Sequence, residues 1–131
     1  MCGRYILHSP LRDLADRFQF RSNEIKITPS YNIAPTESIL TVLSYKYRSP
    51  EIMRWGFIPT WQNSIQPTYP IINARSESAH TNPTFKDALR SRRCLIIANG
   101  FYEWIKEGKQ RIPILFTLGS NQPFAFAGLW E

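Results

Sequence analysis

The stretch Leu95-Ile96-Ile97-Ala98-Asn99-Gly100-Phe101-Tyr102-Glu103-Trp104-Ile105 decides the fold class. Its first four residues form an unbroken apolar run, as expected of a central strand. From Phe101 to Ile105 the pattern alternates, which places Phe101 and Glu103 on one side and Tyr102 and Trp104 on the other. This second strand pairs with residues 112–118 through Lys106-Glu107-Gly108-Lys109, a glycine-containing hairpin signal. Two strands in succession with no helix between them argue against a repeating βαβ unit.

Working outward, residues 39–47 are rich in apolar and β-branched types and read as a strand. Residues 51–57 read as another, with Arg48-Ser49-Pro50 as the turn between them. The aromatic segment Trp55-Gly56-Phe57-Ile58-Pro59-Thr60-Trp61 leaves that strand, residues 62–70 continue as irregular chain, and residues 71–75 resume as a short strand. Asn82-Pro83 opens a helix in which Phe85, Ala88 and Leu89 share a face. Nearer the N-terminus, Ser9-Pro10 supplies a cap and first turn for a helix over residues 10–20, with Leu11, Leu14, Ala15 and Phe18 at the spacing of one face. Residues 28–35 hold two prolines and read as a rigid extended loop. Gly119-Ser120-Asn121-Gln122 turns the chain into a last strand over residues 124–130. The sum is an α+β fold, mainly β, with about two helices.

The 131 residues suffice for one domain, here expected over residues 1–131, and 43% hydrophobic with 14% aromatic content is that of a packed protein. No segment reaches the roughly 20 apolar residues of a membrane span, and no signal peptide is expected. A soluble, cytoplasmic protein with no membrane partner follows. Cys2 and Cys94 are the two cysteines and His8 and His80 the two histidines, so neither a disulfide framework nor a metal site is expected, and no cofactor is implied. A net charge of +6 favours a polyanionic partner.

Met1-Cys2-Gly3-Arg4 carries the chemistry. Removal of Met1 would leave Cys2 with a free amine beside a thiol, of ordinary pKa about 8 and about 8.5. Such a 1,2-aminothiol traps aldehydes: the amine forms a Schiff base, and the thiol closes on the imine carbon to give a thiazolidine. The alternative is that Cys2 is a small buried hydrophobe.

Together with Tyr31-Asn32-Ile33-Ala34-Pro35, Trp55-Gly56-Phe57-Ile58-Pro59, Asn73-Ala74-Arg75-Ser76-Glu77 and Gly100-Phe101-Tyr102-Glu103-Trp104, this N-terminus resembles the SOS-response-associated peptidase (SRAP) family. The resemblance implies a twisted or barrel-like antiparallel sheet with a positively charged groove. It implies capture of abasic sites in single-stranded DNA as a covalent crosslink, with lyase-like Schiff-base chemistry and autoproteolytic exposure of Cys2, in the DNA-damage response at the nucleoid. Cys2 matches the family nucleophile, Asn73 the orienting asparagine and Glu103 the proton carrier. Arg4 and Arg75 match phosphate-contacting positions. The loops carrying Asn32, Pro35 and Trp61 match those set against DNA at the lesion.

Each assignment has a plainer counterpart. Glu103 could be a solvent-facing strand glutamate, and Arg75 with Glu77 a structural ion pair. Trp55 is expected in the core. Arg90, Arg92 and Arg93 read as a solvated helix face. The family pattern also continues into a His-x-Arg-Met-Pro-like segment that this chain lacks, and neither His8 nor His80 matches it. A sheet without its closing strands is therefore expected, with an exposed edge able to support a dimer and with crosslink reversal impaired. Competing functions are an N-terminal-nucleophile cysteine hydrolase and a non-covalent single-stranded DNA-binding module.

Overall fold

The computed structural model describes residues 2–21, 25–44, 47–62 and 71–131. Among these residues, eight strands and three short helices follow one another as β1 (Tyr5–Leu7), α1 (Leu11–Phe18), β2 (Ser30–Ile33), β3 (Ser38–Ser44), β4 (Arg48–Arg54), α2 (Ser76–Ala79), α3 (Lys86–Ser91), β5 (Arg93–Ala98), β6 (Gly100–Glu107), β7 (Gln110–Thr117) and β8 (Phe124–Leu129). They form two four-stranded antiparallel sheets, ordered β2-β1-β6-β7 and β4-β3-β5-β8. The mainly β architecture matches the expectation, although the described strands form two open sheets and no closed barrel.

The chain passes from one sheet to the other at Asn99, between β5 and β6. Asn99 is 2% exposed. Its Oδ1 accepts the backbone N–H groups of His8 (2.9 Å) and Ser9 (3.0 Å), and its Nδ2 donates to Ser9 Oγ (2.7 Å). Its own N–H donates to Ile6 O at 2.8 Å. A buried amide with every polar group engaged fixes this corner, and with it the N-terminal strand. Gly100 follows for steric reasons, since a Cβ there would sit 2.8 Å from Phe116 O and 2.9 Å from Thr117 Cγ2.

The core lies where β1, β3, β5 and α1 meet. Tyr5, Leu7, Leu14, Leu40, Val42, Trp55, Ile97 and Ala98 form it, with Phe101, Phe124 and Phe126 packed at its edge. β3 is buried along five consecutive residues, consistent with its place between β4 and β5.

Several local expectations are corrected. Arg48, Ser49 and Pro50 are not a turn but the start of β4, paired with Ser44, Leu43 and Val42. A proline is tolerated there because β4 is an edge strand. The connection lies at residues 45–47, of which 45 and 46 fall outside the described residues; so does most of the irregular segment expected over 62–70. Ser9 does not cap α1, because its hydroxyl is taken by Asn99, and the helix starts after Pro10 with no side-chain cap. Residues 28–35 are not all loop, since Ser30–Ile33 pair with β1. The strand expected over 71–75 shrinks to one bridge, Phe57 with Ile71. The Arg75 carbonyl instead accepts from the N–H groups of Ser78 and Ala79, starting the unexpected turn α2. Asn82 sets a turn before α3, its Oδ1 accepting from Thr84 N–H at 2.9 Å.

Candidate nucleophile site at Cys2

Cys2 lies just before β1, separated from it by Gly3 and Arg4, and is half-buried. Its Sγ lies 3.5 Å from the Arg4 carbonyl oxygen, as donor. The same oxygen accepts the Tyr102 backbone N–H at 2.9 Å. Arg4 thereby links Cys2 to β6, which carries Glu103. Burial pushes the Cys2 thiol above its ordinary value, the bond to Arg4 opposes this, and the negative charge of Glu103 adds to the rise. Glu103 is half-buried on the Phe101 side of β6 and engaged in an interaction of its own. Its negative charge acts on the thiol.

Asn73 reaches Cys2 from the other side. Its Nδ2 donates to the Cys2 carbonyl oxygen at 2.8 Å. The asparagine is exposed and lies in irregular chain, so the expected strand is absent and its partner is the backbone of Cys2.

Trp55 sets this approach. Its Nε1 donates to Ile72 O at 3.2 Å, next to Asn73. Its backbone carbonyl accepts from Thr36 N–H at 2.7 Å, and its N–H donates to Glu37 O at 2.8 Å. One buried tryptophan thus ties the Pro35 turn to the Asn73 segment. The core position of Trp55 agrees with expectation; its bridging role has no sequence signal beyond an indole donor that needs a partner when buried.

Arg4 and Asn32 come together, Nη1 donating to Oδ1 at 2.8 Å. β2 and β1 are neighbours, so two residues matched separately to DNA contact form one polar unit. Beside it His8 stacks on Tyr31, ring centroids 5.1 Å apart and planes 13° from parallel. Trp61 is 67% exposed. Arg75 is exposed, and no ion pair joins it to Glu77 among the described residues. Arg92 departs from the expected solvated face, forming a two-pronged pair with Glu131 at 2.8–3.1 Å. No cluster of three potential metal ligands occurs among the described residues, and no described helix is long and apolar enough to cross a membrane.

A cysteine at position 2 whose carbonyl is held by an asparagine, within the field of a strand glutamate, stands on a pair of open antiparallel sheets. The family model described as SOS response associated peptidase (SRAP) matches residues 1–131, and the chain belongs to that family. Among relatives, it is 40% identical over 135 residues to "Abasic site processing protein YoqW" of Bacillus subtilis (strain 168), covering 100% of this chain and 60% of that protein. To "Abasic site processing protein YedK" of Escherichia coli (strain K12) it is 30% identical, covering 98% of this chain and 59% of the relative. To "Abasic site processing protein HMCES" of Xenopus tropicalis it is 34% identical over 101 residues, 67% of this chain and 30% of the relative. A crystal structure of a protein from Bacteroides thetaiotaomicron shares the fold at a TM-score of 0.81 and 22% identity, covering 98% of this chain and 59% of that one. The chain thus spans about 60% of the length of the Bacillus relative.

Proposed function

We propose that this protein captures the ring-opened aldehyde of an abasic site in single-stranded DNA as a thiazolidine on Cys2, once Met1 has been removed. The α-amine adds to the sugar C1′, water leaves to form the imine, and Sγ bonds to the same carbon while the thiol proton passes to nitrogen. One water is lost overall. The observation that carries this reading is the convergence on Cys2 of Asn73 at 2.8 Å and of the Glu103 charge. Asn73 restricts the nucleophile's backbone, and positioning of this kind removes much of the entropic barrier to attack. Glu103 is the group available to move protons through addition and water loss. Arg4, Asn32, Pro35, Trp61 and Arg75 supply the DNA contacts, the arginines through phosphate and Trp61 through base stacking. The names of the relatives point the same way.

The word peptidase in the family's description fits a self-directed role, cleavage of the bond before Cys2 to expose the amine. Both activities then require the same residue, and lyase-like chemistry is confined to the Schiff-base stage.

The test is to incubate the protein with single-stranded DNA bearing one abasic site and to look for a band that survives denaturation. The expected result is a protein-DNA adduct in the wild type and none in Cys2→Ala. A protein shown by intact mass to begin at Cys2, yet giving no adduct, overturns the proposal. Turnover of an amide substrate without DNA by that same protein would establish the hydrolase reading instead. Salt-sensitive binding unchanged in Cys2→Ala, with no adduct in the parent, would establish the non-covalent module.

A further inference from the structure

The sheet β2-β1-β6-β7 segregates its charges by face. Along β6, Phe101, Glu103, Ile105 and Glu107 alternate with Tyr102, Trp104 and Lys106. Register carries the second set onto β7, where Leu115, Pro113 and Arg111 stand opposite Tyr102, Trp104 and Lys106. The two acidic residues of these four strands therefore share the face of Phe101, which packs on the core, and the two basic ones share the outer face. Lys106 and Arg111 lie directly opposite each other, and like charges so placed are destabilising. Neither joins an ion pair among the described residues. A polyanion on that face would remove the cost.

The rest of the outer face is largely aromatic. Trp104 is 43% exposed and tilts against Tyr102, ring centroids 6.4 Å apart. The Tyr102 hydroxyl donates to Tyr31 O at 3.2 Å, and Tyr31, 63% exposed, stacks on His8. β2 bulges at this point: Tyr5 pairs with Ile33 and Leu7 with Ser30, so Tyr31 and Asn32 together oppose Ile6. The extra residue re-aims the side chains, and Asn32 meets Arg4 while Tyr31 meets His8. Rings already held in place lose little freedom when a ligand stacks on them.

We propose that the outer face of this sheet binds the single-stranded DNA that flanks the lesion, with bases stacked on Trp104 and Tyr31 and phosphates against Lys106 and Arg111. The proposal rests on the reading that Cys2 captures abasic sites, and it adds a binding track on the face of β6 opposite to Glu103. Rings interleaved with cations on a sheet suit unpaired bases, which present a stacking surface whatever their sequence. Arg4 is where the two surfaces meet. Its carbonyl oxygen is shared by Cys2 Sγ and the Tyr102 N–H, while its guanidinium joins Asn32 beside the rings. DNA held at Cys2 thus continues past Arg4 onto the outer face. Cross-strand cations with no acid between them match a phosphate backbone better than a second copy of this chain, whose net charge is +6.

The experiment compares capture of two single-stranded oligonucleotides with a central abasic site, of about 4 and about 16 nucleotides, the range of site sizes on stacking sheets. The concentration for half-maximal capture is read for each. Trp104→Ala is expected to raise it about fivefold or more for the long oligonucleotide and to leave the short one, which spans only the Cys2 site, unchanged. Arg111→Gln is expected to lower the slope of log affinity against log salt by about 0.7 for the long oligonucleotide. Arg90→Gln, the same loss of charge on the exposed side of α3, should leave that slope as it is. Where Trp104→Ala fails to fold, the exposed Arg111 carries the test. Equal effects of Trp104→Ala on the long and the short oligonucleotide, or none on either with an unchanged Arg111→Gln slope, overturn the proposal. So does a dimer in sedimentation that Trp104→Ala dissolves while DNA affinity stays constant. Absence of any adduct, with Trp104-dependent binding of undamaged single strands intact, overturns the capture reading and supports the track.

Discussion

The side-chain amide of Asn73 donates to the carbonyl oxygen of Cys2 at 2.8 Å, across 71 positions of sequence. This bond leaves the thiol and the amine untouched and holds the backbone that carries them. Asn73→Ala is expected to cost at most about 1 kcal/mol of stability, because the bond is exposed. Misplacement of the nucleophile is expected to slow abasic-site capture by roughly 10- to 100-fold. Thermal melting and a crosslinking time course separate the two effects; equal losses in both would make Asn73 a purely structural residue.

Glu103 predicts a split between two readouts. Its charge helps to hold the Cys2 thiol protonated, so Glu103→Gln should lower the thiol pKa and speed iodoacetamide alkylation of Cys2 at pH 7–8. If Glu103 carries protons, the same change slows capture of the abasic aldehyde by roughly 100-fold or more. Movement of both rates in the same direction would remove the proton-carrier role.

Binding to DNA should divide between stacking and charge. In a Cys2→Ala background, Trp61→Ala is expected to cost about 1–3 kcal/mol of affinity for single-stranded DNA. Arg75→Gln should instead reduce the slope of log affinity against log salt by about 0.7. Filter binding at several salt concentrations checks both, and an unchanged slope would take Arg75 off the DNA path.

Cys94 makes stability depend on pH. Burial raises its thiol from 9.0 to about 11. The folded state therefore keeps a proton that the unfolded chain has lost, and stability falls as pH rises between those values. Denaturant unfolding at pH 8, 9.5 and 11 should show the loss, and Cys94→Val should flatten part of it, the remainder including the likewise raised Tyr5. At pH 7.5, iodoacetamide should label Cys2 well before Cys94.

Asn99 predicts the largest loss of stability among these residues. Asn99→Ala removes a buried amide and strands the N–H groups of His8 and Ser9, at an expected cost of about 2–4 kcal/mol. Because β1 is anchored there, capture by Cys2 should fall even where the variant remains folded; chemical denaturation and crosslinking measure the two effects.

Periodicity alone was enough to assign the mainly β class. The apolar run at residues 95–98 is the β5 strand between β3 and β8, and the alternation after Phe101 is β6 in a hairpin with β7. Gly108, at φ 58°, makes the turn between them where a glycine was expected. Less legible were the elements whose ends depend on distant partners. Pro50 reads as a turn until β4 is known to be an edge, and Ser9 reads as a cap until Asn99 takes its hydroxyl. Residues 71–75 read as a strand although only Ile71 finds a bridge partner. Side-chain pattern reports which face a residue occupies, but not which neighbour lies across from it.

The same division runs through the site. By itself the sequence supplied the candidate reactive group, because the chemistry of an aminothiol would be contained in Cys2 once Met1 is removed, and it supplied the motifs that accompany it. Only the tertiary structure decided that Asn73 grips the Cys2 carbonyl, that Glu103 lies within electrostatic reach of the thiol and that Arg4 and Asn32 are joined. It alone placed Cys2 and Asn73 in the wall of one mainly apolar cavity. Those relationships follow from strand order and from the Trp55 bridge, which bring together residues some 30 to 100 positions apart. Local propensity has no term for such separations; register and packing do.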